Sequence, residues 1–189
     1  LDLRGRSKYI TGEMCETLCD HWGVADDINF KPVKQLIEEL CECRKVGANF
    51  LLNIGPNADG SVPLMQKATM ECIGRWMQTY GKAIYNGRPF IAYTDSRDFI
   101  QKDATDEKIL YLFRFNPGHS TTGVDVSEEF KEAEATLLKN ISVKVKTITW
   151  MDSGEDLPFT QDGTGVRVKL TGYPYGRSHC VRVARIITE

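Results

Sequence analysis

Long hydrophobic runs are absent from this sequence. None of its 189 residues falls in an apolar stretch near the roughly 20 that a membrane-spanning helix requires. Blocks of like charge are absent too: 24 Lys and Arg are intermingled with 26 Asp and Glu, for a formal net charge of -2. Without a basic stripe there is no footprint for a phosphate backbone, and without an acidic tail none for a charged disordered arm. Neither nucleic acid nor a membrane is expected as a partner. Histidine is scarce, with His21, His119 and His179 far apart in sequence. The cysteines do not form a dense framework: Cys15, Cys19, Cys41, Cys43 and Cys72 precede a long gap, and Cys180 stands near the end. Free thiols are the expectation, which tilts slightly toward a reducing compartment. A Cys15/Cys19 half-site has only His21 close by, so no metal and no cofactor is expected. The chain opens Leu1-Asp2-Leu3-Arg4, with neither an initiator methionine nor an apolar leader, and reads as a processed product or a piece of something longer.

What is present divides in two. Val33, Leu36, Ile37 and Leu40 recur at helical spacing within 31–46, with Pro32 suited to a first turn and Gly47 to a stop. Asn49 to Ile54 is a short apolar run without alternation, the pattern of a parallel strand covered on both faces. A turn-rich Gly55-Pro56-Asn57-Ala58-Asp59-Gly60 follows, then a second helix with Thr69, Ile73, Trp76, Met77 and Tyr80 on one side and Gly81 as its expected end. A parallel strand between helices needs neighbours, so residues 1–88 read as the last strand–helix units of a (β/α)8-like barrel. Residues 89–189 change character. Lys108–Phe115, Ser142–Trp150, Val166–Leu170 and Cys180–Ile187 are rich in β-branched and aromatic residues, with turns at Asp152-Ser153-Gly154 and Gln161-Asp162-Gly163. This predicts an antiparallel β-sandwich, with 128–140 as a short helix or a solvated connection.

Asn49-Phe50-Leu51-Leu52-Asn53-Ile54-Gly55-Pro56-Asn57-Ala58-Asp59-Gly60 resembles the final barrel strand and following loop of the glycoside hydrolases that include the α-L-fucosidases (family 29). The resemblance continues through Ile73-Gly74-Arg75-Trp76-Met77, Tyr80-Gly81-Lys82-Ala83-Ile84-Tyr85 and Arg88-Pro89-Phe90, and upstream through Glu13-Met14-Cys15-Glu16-Thr17 and Trp22-Gly23. It covers about residues 13–90. It implies a retaining exo-hydrolysis of terminal α-L-fucose from glycans or small α-L-fucosides, by an aspartate nucleophile and a carboxylic acid/base about 5–5.5 Å apart. The family nucleophile follows the fourth barrel strand, so none is expected in this chain, which would need the upstream barrel segment and could form a homo-oligomer.

By the same resemblance Glu13 is the first candidate for the acid/base, beyond the C-terminal end of a barrel strand, the alternative being a loop carboxylate with a supporting or structural role; Glu16 is the weaker candidate. Gly12 stands where the family often has Trp. Trp22 is read either as an aromatic wall beside the sugar or as a residue packing its loop down. Asn53 is read as an amide with defined partners at the strand end, either backbone groups holding the adjoining loop or a sugar hydroxyl as a substrate-binding residue, and Arg4, with Arg6, as a sugar-contacting arginine. Asp59 reads as a turn residue. The alternative to an enzyme is a non-catalytic carbohydrate-binding or structural module, for which Trp150, Tyr173 and Tyr175 are the available aromatics.

Overall fold

The computed structural model describes residues 12–24, 29–120, 135–174 and 180–189. It divides into two compact units, Leu1–Arg75 and Trp76–Glu189. In the first, β1 (Glu13–Thr17) and β2 (Asn49–Asn53) form a parallel pair joined by helix α1 (Val33–Val46). Pro32 precedes α1 with ψ at 139°, conforming to the extended backbone that starts a helix. The helix ends where expected: Gly47 adopts φ 77° and donates to Arg44 O, while Ala48 N donates to Cys43 O at 2.8 Å, satisfying two terminal carbonyls. Leu36, Ile37, Cys41 and Cys43 form its buried face. The expectation that β2 is covered on both faces is not met among the described residues. Leu51 and Ile54 are exposed, and β1 and β2 stand as a two-stranded sheet with no further strand among the described residues.

Helix α2 (Leu64–Asn86) runs on past Gly81, where a stop was expected. Ala83 and Ile84 continue the buried stripe of Trp76 and Tyr80, and the helical backbone at Gly81 is undisturbed. From Asn86 the chain turns directly into strands β3 (Gly87–Tyr93), β4 (Phe99–Asp103) and β5 (Ile109–Phe115). These join β12 (Val181–Thr188) and β8 (Val145–Trp150) in a five-stranded sheet ordered β3-β4-β5-β12-β8, antiparallel throughout. A smaller sheet, β7-β10-β9, is built from Thr136–Leu138, Gly165–Val168 and Phe159–Asp162. Residues 136–138 are therefore strand rather than helix; Val166↔Leu138 pairing holds them. A short parallel pair joins β6 (His119–Ser120) to β11 (Tyr173–Pro174).

Ile100, Leu110, Leu112, Ile148, Trp150 and Ile186 meet Leu138, Val166 and Val168 in one core cluster. The opposite face of the five-stranded sheet carries Phe99, Phe113 and Phe115, with Phe99 stacked on Phe113 at 4.5 Å. Trp76 Nε1 donates to Val181 O at 2.8 Å, tying α2 to β12. Both outer edges of this sheet are covered over part of their length. Along β3 the register shifts between Pro89 and Tyr93, and Tyr93 bridges to Lys139; outside β8, Leu157 N donates to Ile148 O and Trp150 N to Glu155 O.

Arg182 is wholly buried. Its Nε donates to both Asp152 carboxylate oxygens at 3.0 and 3.2 Å, and Nη1 to Thr171 O and Gly172 O at 3.1 and 2.9 Å. The guanidinium lies 4.2 Å from the Trp150 ring centroid and 4.6 Å from that of Tyr173. Tyr173 and Tyr80 share a hydroxyl–hydroxyl bond of 2.8 Å, and burial pushes both phenols well above their usual range.

Burial would raise the Asp103 carboxyl, but the Tyr111 hydroxyl at 2.5 Å, the Thr105 N–H and hydroxyl at 2.7 Å and Asn86 outweigh it and hold it far below the usual range. A depressed folded-state pKa contributes stability above the unfolded value, near 3.9, that is lost as pH falls through the folded value. Asp103→Asn is therefore expected to cost about 2 kcal/mol at pH 7, and the gap from wild type should shrink steadily below about pH 4. Thermal midpoints measured from pH 7 to pH 2.5 check this; a constant gap contradicts it. Backbone strain gives a second expectation. Gly165 has φ 140°, and an added Cβ would lie 2.3 Å from Leu138 O, whereas one at Gly163 meets nothing within 4 Å. Gly165→Ala should destabilise by about 2 kcal/mol or more and Gly163→Ala by less than about 0.5, compared in urea titrations.

Candidate functional site

The parallel register Glu13↔Asn49 through Thr17↔Asn53 ends both strands of the first unit side by side. Leu18 N extends the ladder by donating to Asn53 O at 3.2 Å. Two loops leave this end: 18–24 from β1 and 54–63 from β2. They touch at glycines. A Cβ on Gly55 would fall 2.7 Å from the Gly23 carbonyl carbon and 2.8 Å from its oxygen, so only glycine lets the backbones approach this closely. Beside Gly23, Trp22 is 67% exposed, so it does not pack its loop down.

Asn53 reaches back across the pair, its Nδ2 donating to Glu16 O at 3.1 Å and to Cys15 Sγ at 3.4 Å. This amide fixes the strand ends to one another. Glu16 accepts from Lys31 Nζ and, at 2.9 Å, from Thr17 N. The Lys31 ammonium, with the Thr17 N–H, holds the Glu16 carboxyl below the usual carboxylate range against the opposing effect of partial burial. An acid that must donate a proton near neutral pH needs the opposite shift, which Lys31 and the Thr17 N–H do not supply.

Glu13 opens β1 instead of following a strand's C-terminal end. It is exposed, accepts from Asn49 Nδ2 at 2.7 Å, and stands about 13 Å of strand away from the two loops. The structure thus brings Trp22, Asn53 and Glu16 to one end of the pair and leaves Glu13 at the other. Arg4 and Arg6 lie outside the described residues. Asp59 caps its own turn, accepting from Ser61 N at 3.0 Å and Ser61 Oγ at 2.6 Å, which lowers its carboxyl. Among the described residues no three His, Cys, Asp or Glu side chains converge as metal ligands would. All six cysteines are free thiols.

Two residues escaped the sequence reading. Lys31 shows no spacing relation to Glu16, fifteen positions earlier, and only the fold joins them. Gln66 did leave a signal: it lies at helical spacing from Thr69, Ile73, Trp76 and Tyr80, a polar residue on an apolar stripe. It is buried, accepting from Gly55 N at 2.7 Å and donating to Gly55 O at 3.1 Å. The aromatics proposed for a binding module behave otherwise than expected. Trp150 and Tyr173 are each 1% exposed, enclosing Arg182, and cannot present a ring to a glycan; Tyr175 lies outside the described residues.

Residues 4–82 match the family model described as α-L-fucosidase. The chain is 30% identical over 169 residues to mouse tissue α-L-fucosidase, covering 86% of this chain and 34% of that protein. It is 36% identical over 83 residues to the human tissue enzyme, covering 41% of this chain and 18% of that protein. The chain thus spans about a third or less of these relatives. Among solved structures, α-L-fucosidase isoenzyme 1 from Paenibacillus thiaminolyticus superposes with a TM-score of 0.71 at 22% identity, over 94% of this chain and 39% of that one. An α-L-fucosidase from Bacteroides thetaiotaomicron gives the same TM-score and identity over 94% and 37%. The structural likenesses show the fold, a strand–helix unit followed by antiparallel sheets, while the sequence matches over residues 4–82 and to the mouse enzyme relate the chain to the α-L-fucosidase family.

Proposed function

We propose that this chain supplies one side of the fucose site of a retaining exo-α-L-fucosidase. The contact of Gly55 with Gly23 carries the reading. It joins the loops at the C-terminal ends of two adjacent parallel strands, the end at which barrel enzymes of this architecture bind and react. Trp22 offers an exposed ring there, suited to the apolar face of a deoxysugar. Asn53 positions the strand ends beneath it, and Arg4 is carried as a further sugar contact by resemblance alone. The retaining course is supported by a Bacteroides thetaiotaomicron relative whose structure is a trapped covalent intermediate, obtained with 2-fluoro-fucosyl fluoride and a glutamate-to-glutamine mutant. The nucleophile is assigned to barrel outside this chain, and the exposed Leu51 and Ile54 mark where further barrel would cover β2. The burial of Trp150 and Tyr173 removes their support for a separate glycan-binding module.

Release of aryl alcohol from an aryl α-L-fucoside tests the reading. Activity is expected from the full-length protein and none from the 189-residue chain alone. Turnover by the short chain would place the nucleophile within it, and an inactive full-length protein would remove the fucosidase reading.

Glu13 remains the acid/base proposed by family motif, although its place at the start of β1 weighs against it. In that role Glu13→Gln in the full-length protein should lower kcat by about 10²-fold or more, with azide restoring part of the rate. A rate within about threefold of wild type would assign proton transfer to another carboxyl, as the strand geometry favours.

A further inference from the structure

Gln66 has no part in any assigned role, yet its setting is unusual. Its side chain is 2% exposed on α2 and spends both ends on one residue. The carboxamide oxygen takes the Gly55 N–H at 2.7 Å, and the amide nitrogen gives to the Gly55 carbonyl at 3.1 Å. Such a two-point bond imitates a strand neighbour: it fixes the plane and direction of the peptide groups flanking Gly55. Gly55 lies just beyond the end of β2, and Gln66 satisfies backbone groups there that burial would otherwise leave costly. Gly55 in turn bears on the Gly23 backbone, one residue from Trp22. The chain of contact is continuous: Gln66 sets Gly55, Gly55 supports Gly23, and Gly23 places Trp22.

We propose that Gln66 is a positioning residue for the sugar site, holding the loop after β2 so that Trp22 stands at a fixed height above the strand ends. This rests on the fucosidase reading for its functional consequence, but the mechanical part does not. Loss of the clamp frees the two loops to separate, lowering the fraction of protein with Trp22 in its binding position. Binding should suffer more than turnover, because a sugar that does bind restores the arrangement.

Two readouts separate these parts. In this chain Trp76 and Trp150 are each 1% exposed and Trp22 is 67% exposed, so acrylamide quenching of tryptophan fluorescence reports Trp22. Gln66→Leu, which removes both bonds, and Gly55→Ala, which pushes on Gly23 from the other side, should each change Trp22 quenching. In the full-length protein each should raise KM for an aryl α-L-fucoside roughly tenfold while kcat stays within about threefold. Thr69→Val, which removes the Thr69 hydroxyl bond to Met65 O on the same helix, should alter neither. If Gln66→Leu does not fold, Gln66→Glu, which retains an acceptor for the Gly55 N–H, is read in the same two ways. Wild-type quenching and KM in these variants overturns the proposal, as does Thr69→Val producing the same changes. If the wild-type full-length protein turns over no fucoside, the functional reading falls, while the quenching comparison still decides whether Gln66 governs Trp22.

Discussion

A guanidinium removed entirely from water is the constraint around which the Trp76–Glu189 unit is arranged. Burying a charge costs several kcal/mol unless partners replace its hydration, and Arg182 has a partner on every side. Asp152 faces Nε, two carbonyls of the 171–172 turn face Nη1, and the rings of Trp150 and Tyr173 enclose the plane. Those groups come from β8, from the turn after it and from the approach to β12. Each must be in place for the charge to be tolerated. The Tyr173 hydroxyl then passes the requirement to Tyr80 on α2, so a helix and two sheets answer to one cation. This explains why Trp150 and Tyr173 are spent internally rather than offered at the surface.

The Leu1–Arg75 unit works by a different economy. Its organising element is backbone, not charge: a parallel pair whose ends are fastened by Asn53 to Glu16 O, and whose departing loops meet without side chains at Gly23 and Gly55. Polar side chains act here as braces. Lys31 keeps Glu16 ionised, Asp59 closes its turn onto Ser61, and Gln66 stands in for a missing strand. The exposed Trp22 is conspicuous against this background, because every neighbour named is engaged in holding the loops still.

The sequence revealed those parts whose signals are local. Helix α1 was legible from Leu36 and Ile37 at its centre and from Gly47 at its end, and β5, β8 and β12 from their β-branched and aromatic runs. Strand β1 was less legible as a strand, because Glu-Met-Cys-Glu-Thr neither alternates nor clusters; β2 supplies its register. Gly81 misled because a glycine ends a helix only where the backbone turns, and the buried stripe through Ala83 and Ile84 kept it helical. Trp150 and Tyr173 looked available because nothing near them in sequence announces Arg182. At the candidate site, Trp22 was singled out by resemblance and Asn53 as a polar residue ending an apolar strand. Lys31 was hidden by long-range pairing, and Gln66 needed its polar character to be weighed against the apolar stripe that it shares.

The partly covered borders of the five-stranded sheet also bear on whether a foreign strand can add to it. Pro89 and the register shift deny β3 a regular row of donors, Lys139 takes the Tyr93 pairing, and the 155–157 segment seals β8. Such borders interrupt the regular row of donors and acceptors that a stray strand would pair with. In the parallel pair, β1 and β2 each have a neighbour on one side only among the described residues. That pair therefore leaves a backbone edge on each side to which a further strand can add, the reverse of the larger sheet's protected borders.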